Sequence, residues 1–223
     1  MAAAPAPASH AQLAHPPNSL GLPHIKVGFW TFIGSDCLFF GSLIAAYMAY
    51  RNSSRVGPFP HAEWTAPDGT VVHGILNIPI TSVSAFVLLM SSVAMVIALD
   101  GVVRNHRVQA RLFLFLTAIL GLLFLGFQSF EFTEFYHNGL SLQQNLFGST
   151  FFVLTGFHGT HVAFGVLWLL TMLVQDLRHP IPASQAIKVE ICGLYWHFVD
   201  IVWIVIFTFV YLIPTFERFA SHG

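Results

Sequence analysis

The chain has 223 residues, of which 55% are hydrophobic and only 9% charged, with a formal net charge of −1. Soluble domains usually carry about 25% charged residues, so this composition, with a mean hydropathy of +0.70, excludes an ordinary soluble enzyme and describes an integral membrane protein. The near-zero charge offers nucleic acid no general attraction. The two cysteines, Cys37 and Cys192, lie far apart in or beside apolar segments and read as buried free thiols, not a disulfide framework.

Residues 1–25 are rich in Ala, Pro and His and lack a positive region followed by an apolar core. They read as a flexible tail outside the membrane, not a signal peptide, with His10, His15 and His24 in solvent. Roughly 20 apolar residues at ~1.5 Å each cross the ~30 Å hydrocarbon core, and five stretches meet that length. The first, about 29–50, contains Asp36 between Ser35 and Cys37, some ~10 Å from its start. Residues 51–76 form a polar loop with Pro58, Pro60, Pro67 and the turn signal Asp68-Gly69. The second span, about 77–99, carries Ser82, Ser84, Ser91 and Ser92, which suit close helix packing.

A short basic loop with Arg104, Arg107 and Arg111 leads to the third span, about 112–132, which ends in Gln128, Glu131 and Glu134 at spacing three. The fourth, about 148–174, contains Gly156-Phe-His158-Gly-Thr-His161. A loop with Arg178, Lys188 and Glu190 precedes the fifth, about 193–213, which holds His197 and Asp200 on one helical face, with Trp196 and Trp203 on nearly the same side. A carboxylate within the bilayer must face protein, a partner group or water, so something other than lipid covers that stripe. The expected architecture is all-α: one membrane domain, 26–216, of five transmembrane helices, with short tails at 1–25 and 217–223.

With the N-terminus inside, the inner segments hold Lys26, Arg104, Arg107, Arg111, Arg178 and Lys188, and the outer ones only Arg51, Arg55 and Arg218. That asymmetry predicts N-terminus in and C-terminus out.

Each polar group admits two readings. Asp36 is a protonatable site or a packing carboxylate, and the two are compatible. His158 and His161 share a face and present imidazoles to a metal or haem, or to interhelical hydrogen bonds. The second is favoured, because Gly156 and Gly159 suggest a closely approaching neighbour and further ligands are lacking. His197 and Asp200 pair with each other or reach across helices; Glu131 and Glu134 read as interfacial. No nucleophile–base pair, phosphate loop, thiolate motif or HExxH is present, nor the two Glu-x-x-His motifs of a di-iron bundle.

Two long motifs carry a resemblance. Gly148-Ser-Thr-Phe-Phe-Val-Leu-Thr-Gly-Phe-His-Gly-Thr-His-Val162 and Tyr195-Trp-His-Phe-Val-Asp-Ile-Val-Trp203 resemble the signature helices of subunit III of haem-copper terminal oxidases. Ile75-Leu-Asn77 and Phe127-Gln-Ser-Phe-Glu131 support the match, which runs from about Lys26 to Pro214. The resemblance implies an accessory subunit of a proton-pumping, oxygen-reducing complex, packed on catalytic subunit I. Subunit II and a small subunit IV complete the complex, which sits in the bacterial plasma membrane. The chain would hold no haem or copper, these lying in partner subunits, and would bind phospholipid. The family's membrane carboxylate maps onto Asp36, and Glu131, His158, His161, Glu190, His197 and Asp200 fall on its other polar positions.

Ser35-Asp36-Cys37 resembles the short, five-helix members, which lack two N-terminal helices of the seven-helix form and include subunits of quinol oxidases. The two signature runs place the chain nearer cytochrome c oxidases. Two further readings stand beside this one. One is a proton-coupled transporter, disfavoured by five helices without a repeat; the other is a haem or metal enzyme working through His158 and His161.

Overall fold

The computed structural model describes residues 23–51, 53–54, 63–65, 69, 71–73 and 78–213. The expectations for His10, His15, Pro58, Pro60, Pro67, Asp68, Arg55, Ile75, Asn77 and Arg218 concern residues outside these. Five long helices are each apolar enough to cross a membrane: α1 (His24–Tyr50), α2 (Ile78–Val103), α3 (Arg107–His137), α4 (Leu146–Arg178) and α5 (Ala186–Phe207). The all-α, five-span expectation holds.

Every helix outruns its apolar stretch at one or both ends, because backbone hydrogen bonding does not stop where hydrocarbon does. α3, with 31 residues, is ~46 Å long and must project beyond the bilayer core. His24 therefore opens α1 instead of belonging to a tail, with Pro23 O accepting from Lys26 N at 2.9 Å. α5 starts earlier than its apolar run and ends in a π-helical turn, Thr208–Leu212. Asp36 and Asp200 lie ~18 and ~21 Å along their helices, near the middle of each helical run.

The loop after α1 holds a short hairpin that the sequence reading leaves as irregular chain: β1 (Glu63–Thr65) pairs antiparallel with β2 (Val71–His73), Trp64 opposite Val72. Its strands include β-branched and aromatic residues, which favour extended chain, and Gly69 between them has φ +85°. Ser54 then anchors the loop by accepting from the Phe147 amide at 3.0 Å.

α2 and α3 form a tight antiparallel pair. Asn105 takes a left-handed φ of 59°, His106 N bonds Gly101 O at 2.7 Å, and Gly101 lets the Ala110 backbone approach where a Cβ would lie 2.7 Å from Ala110 N. At the other end of the hairpin, Asn145 caps α4 by accepting from Gly148 N at 2.6 Å.

α5 is the central element, packed on α1, α2 and α4. Trp196 and Trp203 are both buried, so the stripe expected to need covering is covered by the chain's own helices. Trp196 inserts between Gly121 of α3 and Gly165 of α4, where a Cβ would come within 2.5 and 2.8 Å of its ring, and its Nε1 donates to Ser91 Oγ at 2.9 Å. Ser84 and Ser91 are buried at the α2 interface as expected, whereas Ser82 faces outward. α1 is the outermost helix, touching only α4 and α5 among the long helices in substantial contact.

Candidate functional site

α1 docks on α4 through Phe40, whose ring meets His161 edge-on at 4.9 Å. This brings Asp36 beside His161, with Asp36 Oδ2 3.7 Å from His161 Nε2 and both side chains mostly buried. His161 Nδ1 lies 2.8 Å from the carbonyl of Phe157. A carbonyl oxygen only accepts, so Nδ1 carries the hydrogen. In the neutral ring Nε2 then offers a bare lone pair to an Asp36 oxygen that has no hydrogen-bond partner. A hydrogen on either member would let it donate across this gap. Tyr195 OH donates to the His161 carbonyl at 3.0 Å and holds α5 to this turn.

His158, one turn earlier on α4, points elsewhere. It is fully buried, stacks on Trp203 at 4.9 Å and meets the edge of Phe124 at 5.7 Å. Neither ring nitrogen has a hydrogen bond. The expected interhelical hydrogen bonds from these two histidines are therefore absent: one ring bonds its own helix and the other sits in an aromatic box. Nor do they fit a metal, since they diverge and among the described residues no group of three or more His, Cys, Asp or Glu is placed to hold one. Gly159 is closely approached, by Gln128, whose Nε2 donates to Thr155 O at 2.7 Å. Gly156 is not.

His197 and Asp200 do not pair with each other. His197 Nδ1 lies 2.6 Å from Ser92 Oγ on α2, while both Asp200 oxygens are buried without a hydrogen bond of normal geometry. Ser92 also faces Asp200, so the three form one polar patch between α2 and α5. Glu131 is buried and accepts a hydrogen bond from Thr81 on α2; Glu134 is half-buried. Glu190 pairs with Lys26 at 2.6 Å, tying the start of α1 to α5. Cys192 is buried as expected, but Cys37 is exposed on the outer side of α1.

Sequence reasoning missed the partners more than the acids. Ser92, Thr81 and Tyr195 look like ordinary helix residues until packing sets them opposite a polar group. Arg111 and Asp176 are missed as a pair, although both lie at span ends on one predicted side. Arg111 Nε donates to Asp176 Oδ2 at 2.7 Å, and Asp176 Oδ1 accepts from the Ile181 amide at 2.8 Å. A carboxylate that ends an apolar run while a lone arginine opens another was the available signal.

Comparison with known proteins agrees with this geometry. The family described as cytochrome c oxidase subunit III matches residues 17–214. The chain is similar to cytochrome c oxidase subunit 3 of Bacillus sp. (strain PS3), 34% identical over 186 residues, covering 83% of this chain and 84% of the relative. It is similar to cytochrome c oxidase subunit 3 of Bacillus subtilis (strain 168), 34% identical over 187 residues with coverages of 83% and 84%. A probable quinol oxidase subunit 3 of Staphylococcus saprophyticus is 32% identical over 188 residues, covering 84% and 88%. The signature helices, the five spans and the match over nearly the whole membrane part converge: the chain belongs to the subunit III family of haem-copper terminal oxidases.

Proposed function

We propose that the chain is the non-catalytic, accessory subunit III of a proton-pumping cytochrome c oxidase in a bacterial plasma membrane. It packs beside catalytic subunit I, with subunit II and a small subunit IV in the same complex and phospholipid at its apolar surface. Haem and copper belong to the partner subunits, where oxygen is reduced. The observation that motivates a role in proton handling is the Asp36–His161 pair midway along α1 and α4, 3.7 Å apart, two groups able to carry and exchange a proton. By this reading the subunit keeps the catalytic chain intact during turnover and supports proton uptake through Asp36. Glu131, Glu190, His158, His197 and Asp200 serve the packing that holds the pair in place.

The alternative donor, quinol, is favoured by one specific finding: a relative described as a probable quinol oxidase subunit is about as similar as those described as cytochrome c oxidase subunits. Purification through a tag on this chain tests the assignment. Haem absorption bands and larger co-purifying chains are expected, with oxygen uptake driven by reduced cytochrome c. Uptake driven by quinol alone would move the complex to the quinol branch. A colourless preparation of this chain alone, from membranes that still hold intact oxidase, would overturn the reading.

A further inference from the structure

A groove of about 400 Å³ runs between α1 and α5, on a side of α1 away from the wall that Phe32, Phe164 and Trp168 form with α4. Its walls include Trp30, Cys37 and Gly41 of α1 and His197, Ile201 and Val205 of α5. α1 and α5 run in the same direction, as their Lys26–Glu190 tie at one end requires. From Trp30 to Ile44 the groove follows α1 for ~21 Å, so it is elongated along the helices and centred near the middle of α1.

Two independent features set it apart from ordinary lipid-facing surface. The first is His197. Its Nδ1 is committed to Ser92, and its Nε2 has no hydrogen bond to any described residue although the ring lines the groove. His197 lies near the middle of the helical run Ala186–Leu212, where an apolar span meets acyl chain. Hydrocarbon leaves that nitrogen unsatisfied, and polar groups in the bilayer core are stable only when bonded. The second is the shape of α1. Gly34 and Gly41 are seven residues apart on one face, and a Cβ on either would meet nothing in this chain. Bare backbone on an outward helix face admits a second helix to close range. The flanking Leu38 and Ile201 are 79% and 60% exposed.

We propose that the α1–α5 groove is the seat of a partner subunit's transmembrane helix, which places a Ser, Thr, Asn, Gln or carboxyl side chain against His197 Nε2. The proposal rests on the reading of this chain as one subunit of a membrane complex, and it assigns the face through which that assembly is made. Ser92 fixes the ring so that Nε2 is presented outward, the glycine face sets the approach distance, and the apolar walls receive the neighbouring side chains. An acyl chain fills the same walls but leaves His197 unanswered.

The test uses the complex purified through this chain, with the photoreactive residue p-benzoylphenylalanine placed at Ile201. Irradiation is expected to join this chain to another subunit, at a span with a hydrogen-bonding side chain within one helical turn of the adduct. Adducts with lipid only, or with a span lacking such a residue, would overturn the proposal. In the same complex His197→Leu is expected to lower retention of this chain in a detergent titration at least tenfold, and His197→Gln, which keeps a donor and an acceptor, to restore it. Undiminished retention of the Leu variant overturns the hydrogen bond. If the unsubstituted chain purifies without haem-bearing partners while other oxidase subunits remain assembled, the subunit reading itself fails and the docking face falls with it.

Discussion

Asp36 has one titratable neighbour on α4, His161, 3.7 Å away. Because His161 spends its Nδ1 hydrogen on Phe157 O, its remaining nitrogen answers the carboxyl only through a shared proton. Asp36→Asn keeps the shape and removes the exchangeable proton. In the purified complex the initial rate of oxygen reduction should stay within about twofold of the parent, while protons pumped per electron or the number of turnovers before inactivation falls. Asp36→Glu should recover the lost property; an Asn variant unchanged in both would leave Asp36 a packing residue. Thr81→Val tests a different kind of group. It removes the hydroxyl that bonds buried Glu131 without changing volume much, and stranding a buried acceptor costs about 1–3 kcal/mol. Thermal dissociation of this chain from the complex should occur at lower temperature, with the donor preference unchanged.

At the scale of elements, the bundle depends on how closely α3 and α4 approach Trp196 of α5. Gly165→Ala would set a methyl 2.8 Å from the indole ring, and overpacking of this kind costs about 1–3 kcal/mol. Gly126→Ala on α3 meets nothing within 4 Å and should be neutral or stabilising by about 0.5–1 kcal/mol through helix propensity alone. Paired unfolding measurements on the two variants separate packing from propensity. The five elements were legible in the sequence because apolar length alone defines a span. Their ends were not, since the polar residues at 24–28 and 133–137 continue helices that hydropathy treats as finished. Asp36, Glu131 and Asp200 were legible as costly carboxyls. What answers each was hidden: Asp36 finds His161 and Glu131 finds Thr81 only through packing between helices distant in the chain. The hydrogen-bond-free burial of His158 was hidden too, because an aromatic box leaves no local spacing.

For the whole molecule, the remaining variable is which way it crosses the membrane. Lys26, Arg104, Arg107, Arg111, Arg178 and Lys188 fall on one predicted side of the membrane, against Arg51, Arg55 and Arg218 on the other. Several of these cations have acidic partners, Arg104 with Asp100, Arg111 with Asp176 and Lys26 with Glu190. Acidic residues contribute little to topology, so this pairing does not weaken the orienting signal. The N-terminus should therefore lie inside, and a tag after Gly223 should be cleavable by external protease in intact spheroplasts. Arg104 and Arg107 are exposed and sit in the tight turn between α2 and α3. Changing both to Gln leaves four cations against three while disturbing no buried contact. A measurable fraction of tags should then become protected, as the bias that retains the α2–α3 turn on the inner side declines. A tag protected in the parent chain would reverse the orientation, and with it the side from which the Asp36–His161 pair receives its proton.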